Sequence, residues 1–172
     1  NELKREVDEL PELAIAVHIR MGDFRVLAEN EEFDKVGSVR TPLTYFVQVI
    51  HKIRTYMGEN IAVSVFSDGK TEALHEVLNL PNVSLVRNSK DILDLIHMSK
   101  AKVIVTSAGS SFSKWSAFLS EAIIIDHFQH IHAPIRDSLT NSKVFEGPLN
   151  PEKDIEDYTL LSKNLRDLFF CF

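Results

Sequence analysis

The stretch His18-Ile19-Arg20-Met21-Gly22-Asp23 sets a titratable ring, a permanent cation and a carboxylate around one glycine, directly after the apolar run AIAVHI. Such a set can grip an anion. The planar guanidinium of Arg20 takes two phosphate oxygens at once and does not lose its proton. Gly22 lets a backbone approach closely. Asp23 can hold Arg20 or a loop amide. Taken alone, the same residues also make an ion pair at a strand–loop corner.

Two further polar clusters follow apolar runs. Phe66-Ser67-Asp68-Gly69 closes one, and Thr106-Ser107-Ala108-Gly109-Ser110-Ser111 closes another and opens a helical pattern. A small Gly/Ser turn entering a helix presents backbone N–H groups at the positive end of the helix dipole. Ser110 and Ser111 add hydroxyl donors, which suits a phosphate. Serine is also a preferred N-cap, and alone the turn reads as a cap. The turn is not a P-loop, since it holds no Gly-Lys-Ser/Thr, and not a hydrolase elbow, since the position of the second glycine is Ser113.

Asp94 lies among Leu93, Leu95 and Ile96, a setting that predicts partial burial and a dedicated donor partner. The paired N–H groups of a guanine edge would satisfy a carboxylate there. His127, His130 and His132 cluster, but only Asp126 adjoins them and no cysteine is near, so a structural or solvent-facing role is expected rather than a metal site.

These residues need a scaffold. The runs AIAVHI (14–19), IAVSVFS (61–67), VSLV (83–86), KVIVTS (102–107) and AIIID (122–126) are short and apolar almost throughout. That pattern predicts strands covered on both faces, as in a parallel sheet. Amphipathic stretches lie between them. Thr41 is expected as N-cap and Pro42 in the first turn of a helix to residue 57. Further helices are expected over 70–80, 89–100, 110–121 and near 154–169, with long irregular pieces at 25–40 and 127–150. Alternation of this kind predicts one α/β domain over residues 1–172, a Rossmann-like parallel sheet flanked by helices. Ligands of such sheets bind beyond the carboxyl ends of the strands, which is where all three polar clusters fall.

Bulk composition agrees. The 172 residues are 44% hydrophobic and 26% charged, enough for one sizeable core. A net charge of −6 argues against a broad nucleic-acid or anionic-membrane surface, so no nucleic-acid partner is expected. The one cysteine, Cys171, rules out an intrachain disulfide framework. Asn82-Val83-Ser84 fits a glycosylation sequon of a kind common by chance. A charged stretch leading at once into a core strand reads as a domain cut from a longer protein.

HxRxGD after a strand, FSD after the next, ILDL-x-x-MS near a helix end and SSFSxWxAFL opening another helix together resemble the GDP-fucose-dependent fucosyltransferases. The last motif is most similar to the α1,2 members; the wider superfamily includes α1,6- and protein O-fucosyltransferases. The resemblance runs from Ala14 to Glu121. It implies the C-terminal, nucleotide-binding half of a GT-B-type enzyme, with the acceptor-side N-terminal domain absent from these residues. By position, Arg20 would bind the GDP diphosphate and ease its departure, with His18 against the nucleotide near the base or a phosphate. Gly22 would belong to the same nucleotide-binding loop, Asp94 would pair with guanine, and Ser110 and Ser111 would cradle a phosphate. Asp68 would support the site. Met21 stands where the family often has a second basic residue, and Lys114 where α1,2 members often carry an aromatic.

The resemblance further implies inverting transfer of fucose from GDP-fucose to a glycan hydroxyl. No Asp-x-Asp occurs in the chain, so Arg20 and the serine-capped helix are expected to stabilise the leaving diphosphate without a metal or other cofactor. Asp23 is a candidate catalytic residue, and Glu29, Glu31, Glu32 and Asp34 lie in the loop that follows. The general base could come from any of these or from the other half. A non-catalytic sugar-nucleotide or glycan-binding module of the same fold is the alternative. A phosphatase or hydrolase is disfavoured, since no Asp-x-Asp-x-Thr or Gly-x-Ser-x-Gly is present. Compartment stays open: cytoplasm for a bacterial member, Golgi lumen for a eukaryotic one.

Overall fold

A computed structural model describes residues 2–130 and 133–169. Six strands form one parallel sheet: β1 (Leu13–Ile19), β2 (Val63–Ser67), β3 (Val83–Val86), β4 (Ala101–Val105), β5 (Ile123–His127) and β6 (Glu146–Leu149). Their spatial order is β3-β2-β1-β4-β5-β6, with every neighbouring pair parallel. The architecture is therefore α/β and Rossmann-like. Strand order reverses between β1 and β4, and a crevice opens there beyond their carboxyl ends.

Period-two alternation splits the strand residues between two helical layers. Ile15, Val17 and Ile19 of β1 pack with Phe46, Val49, Ile50 and Ile53 of α2 (Leu43–Met57) and Leu161 and Leu165 of α7 (Thr159–Phe169). Ala16, Phe66 and Ile104 face the other way, against Met98 of α4 (Asp91–Ser99) and Phe112 of α5 (Ser111–Phe118). Each fully buried aliphatic or aromatic side chain contributes on the order of 1.5–3 kcal/mol, so the two layers hold the sheet firmly. His18 shares the Ala16 face, which turns its ring towards α5.

Several expectations need correction. Thr41 does not cap α2. Pro42 occupies the N-cap position, and the Thr41 hydroxyl instead accepts the Ala108 amide at 3.0 Å. The helix expected over 70–80 is a 3₁₀ turn, Thr71–Leu74, followed by the short α3 (His75–Leu78). The charged N-terminal stretch forms α1 (Glu2–Asp8), fixed to the domain by Lys90 on Glu6 (2.7 Å) and by Lys100 on the carbonyls of Val7 and Leu10. The piece 127–150 is not wholly irregular: it holds α6 (Ser138–Asn141) and the edge strand β6. A buried ion pair, Arg136 to Glu146 at 3.2 Å, ties the segment before α6 to that strand. Among the described residues no helix is long and apolar enough to cross a membrane.

Candidate functional site

The site lies at the reversal point. Ser107, just past β4, donates its hydroxyl to the His18 carbonyl (2.7 Å) and accepts the Arg20 amide (2.8 Å). One serine thus joins the ends of β1 and β4, and with them the HxRxGD loop and the serine turn. On the other side, Asp68 at the end of β2 accepts the amides of Met21 (2.8 Å) and Gly22 (3.0 Å). Burial alone would raise the Asp68 pKa, but those two amides and the Arg20 charge outweigh it and hold the carboxyl below its ordinary value. The resemblance implies a supporting role for Asp68, and these bonds hold the backbone of the loop at Met21 and Gly22.

Arg20 stands between two carboxylates. Its Nη1 lies 2.8 Å from Asp68 Oδ2, while Nε (3.0 Å) and Nη2 (2.7 Å) both reach Asp23 Oδ1. Its guanidinium carbon also sits 5.9 Å from the centre of the Phe24 ring. The Arg20 side chain keeps 31% of its surface exposed, so the cation is oriented yet reachable.

His18 is buried, and its ring lies against Phe112 with centroids 5.3 Å apart. Its Nδ1 is buried with no hydrogen-bond partner among the described residues. Burial lowers its pKa to about 4, with Asp68 pulling weakly upwards and Arg20 downwards. The ring is therefore neutral at neutral pH.

His18, Arg20, Asp68, Asp94 and Phe112 line one cleft of about 250 Å³, with Phe66, Ser67, Arg87, Asn88 and Asp91 completing the wall. Asp94, in the first turn of α4, has the dedicated donor expected of it. The donor is Asn88, whose backbone N–H (3.2 Å) and Nδ2 (2.8 Å) both bond to Oδ1. That bonding was not legible from the sequence.

Ser110 and Ser111 line a neighbouring cleft of about 560 Å³ with Gly109, Lys114 and Ala133-Pro134-Ile135. Ser110 takes the N-cap position of α5 but makes no side-chain capping bond. The plain capping role that its sequence allowed is therefore not what its hydroxyl does. Gly109 adopts a left-handed φ of +69°, which turns the chain from β4 into the helix. Lys114 reaches from α5 to Asp126 at the end of β5, and Thr106 donates to the same carboxylate. No spacing rule marks that buried pair in the sequence.

The loop over 25–40 is anchored to this rim. Phe33 and Val39 pack on Ala108 of the serine turn, and Arg40 donates to the carbonyls of Met21 and Phe24. Glu31 is taken up by Arg25 and by the Ala28 amide, and Glu32 pairs with Lys35 at 2.7 Å. His127 is buried between Phe33, Tyr45 and Phe128, and burial lowers its pKa to about 4. His130 bonds to the Phe33 carbonyl at 2.8 Å. Both histidines are structural rather than solvent-facing; His132 and Cys171 lie outside the described residues. Among the described residues no group of three His, Cys, Asp or Glu side chains is placed to hold a metal ion.

The arrangement offers an oriented guanidinium, an aromatic wall and a carboxylate on one cleft, and a turn of amides at a helix start on a second. Comparison with protein families, with curated proteins and with solved structures finds no match to this chain.

Proposed function

We propose that this chain is the donor-binding half of an inverting fucosyltransferase that moves fucose from GDP-fucose to a glycan hydroxyl. The observation that carries the reading is the convergence of Arg20 and Asp94 on one cleft. They come from different elements, and each has the chemistry for one end of a guanosine diphosphate. Arg20 suits the diphosphate, and Asp94 suits the two adjacent N–H groups of guanine. Phe112 and the neutral His18 ring offer an apolar wall between them.

In this reading the acceptor oxygen attacks the anomeric carbon as the bond to GDP breaks. Negative charge grows on the diphosphate, and Arg20 with the amides at the start of α5 meets it. The acceptor-facing domain and the residue that takes the acceptor proton belong to the part of the protein outside these residues, or to the 25–40 loop.

The test is calorimetry of the 172-residue chain with GDP, UDP, ADP and CMP. GDP is expected to bind best. Asp94→Ala should erase most of the preference, since losing a matched buried pair costs on the order of 1–3 kcal/mol. Equal affinity for GDP and UDP in the parent would sink the base contact.

A further inference from the structure

We infer that Asp23 is a stand-in for the ligand: it pairs with the phosphate-gripping edge of Arg20 and gives way when a diphosphate arrives. The inference rests on the proposed nucleotide reading and adds a role for Asp23 other than general base.

Three observations carry it. First, the two carboxylates on Arg20 are held very differently. Asp68 is tied to two loop amides and its side chain is 30% exposed, whereas the Asp23 side chain is 71% exposed and, among the described residues, its hydrogen bonds run to Arg20 alone. Asp68 is a fixture and Asp23 is free to swing out. Second, Asp23 covers the part of the guanidinium a phosphate would need. Nε and Nη2 form the side of the fork that matches two oxygens, yet both are spent on the single atom Oδ1. A phosphate can offer an oxygen to each. Third, two carboxylates on one arginine leave the three groups with a net negative charge. A diphosphate entering beside both would be repelled. With Asp23 displaced, the remaining Arg20–Asp68 pair is neutral, and Arg20 keeps its aim through Nη1.

An exposed ion pair of this kind is weak, so the ligand can outcompete it. The pair with Asp23 keeps Arg20 from folding elsewhere. Arg20 is therefore pre-aimed, and the diphosphate exchanges one partner rather than ordering a loose side chain.

The test is binding of GDP and of inorganic pyrophosphate to the 172-residue chain, parent against Asp23→Asn and Asp23→Ala, with circular dichroism to show that each variant is folded. Removing the competing charge should tighten both probes by roughly two- to fivefold, the size of an exposed ion pair. The gain should vanish when Arg20→Ala is combined with it. Unchanged or weaker binding in both Asp23 variants, with the parent still binding GDP, overturns the stand-in role and leaves the donor reading intact. A gain with pyrophosphate but no preference for GDP supports the displacement and removes the nucleotide reading. No binding of either probe to any form overturns both. In fucosyl transfer by the longer protein, the stand-in role lowers KM for the donor in Asp23→Asn, whereas a general base would be seen as a collapse of kcat.

Discussion

A methyl group placed on Gly22 would lie 2.3 Å from Oδ2 of Asp68, closer than any real contact of that kind. The glycine is required because the carboxylate that holds the loop passes directly over it. Gly22→Ala must push Asp68 off the Met21 and Gly22 amides or bend the loop. The expected result is a loss on the order of 1–3 kcal/mol in denaturant unfolding, as for other overpacked sites, together with weaker GDP binding. A variant with parental stability and affinity would show that Asp68 does not set the loop.

Arg20→Lys keeps the charge but cannot bridge Asp68 and a diphosphate at once. In the proposed transfer reaction it should lower kcat more than it raises KM, because charge on the diphosphate grows towards the transition state. Arg20→Ala should cost more, about 3–4 kcal/mol of barrier by analogy with loss of an oxyanion donor. Steady-state transfer from GDP-fucose, with and without EDTA, checks both points. Full activity in Arg20→Ala, or strict dependence on a divalent ion, would contradict the assignment.

His18 makes stability depend on pH. Its folded pKa near 4 lies below the ordinary 6.5. Between those values the unfolded chain takes up a proton that the folded chain refuses, so stability rises with pH. The contribution is whole above about pH 6.5 and is lost as pH falls towards 4, up to about 3 kcal/mol. His18→Phe keeps a ring against Phe112 and removes the titration. Urea midpoints at pH 7 and pH 4.5 should therefore fall further in the parent than in the variant; parallel falls would show that burial of His18 carries no such linkage.

Arg54 is a structural counterpart. It is buried on α2 and donates Nη2 to the carbonyls of Ile61 (2.8 Å) and Pro81 (2.6 Å), just ahead of β2 and β3. Arg54→Met leaves those oxygens unpaired, at about 1–3 kcal/mol. Thermal unfolding should register the loss while GDP affinity in calorimetry stays at the parental value, since Arg54 is remote from the cleft.

Five of the six strands were legible because buried parallel strands write themselves as continuous β-branched runs. β6 was not, because Glu146-Gly147-Pro148-Leu149 has a single apolar residue of strand type. It is a strand only through its pairing with β5. α1 escaped notice for a related reason: seven residues with none fully buried leave no apolar stripe to read. Among site residues, cation, carboxylates and glycines were visible by type. Their partners were not. Ser107 bonding back to β1, Thr41 bonding to Ala108 and Asn88 bonding to Asp94 are set by how separate strands and helices meet, and hydroxyls and amides carry no mark of which neighbour they will find.

The two margins of the sheet differ in how readily another chain could extend them. At β6 the Ile124 amide bonds to Phe145, so odd-numbered positions face β5 and Pro148 faces outward, where it has no N–H to give. Arg136 also spans the start of that strand, through Glu146 and the Phe145 carbonyl. Among the described residues β3, of the same four-residue length, has no such guard. Self-association by strand addition should therefore begin at Val83–Val86. Under aggregating conditions a lysine at Ser84, the exposed side chain of β3, should suppress whatever assembly occurs.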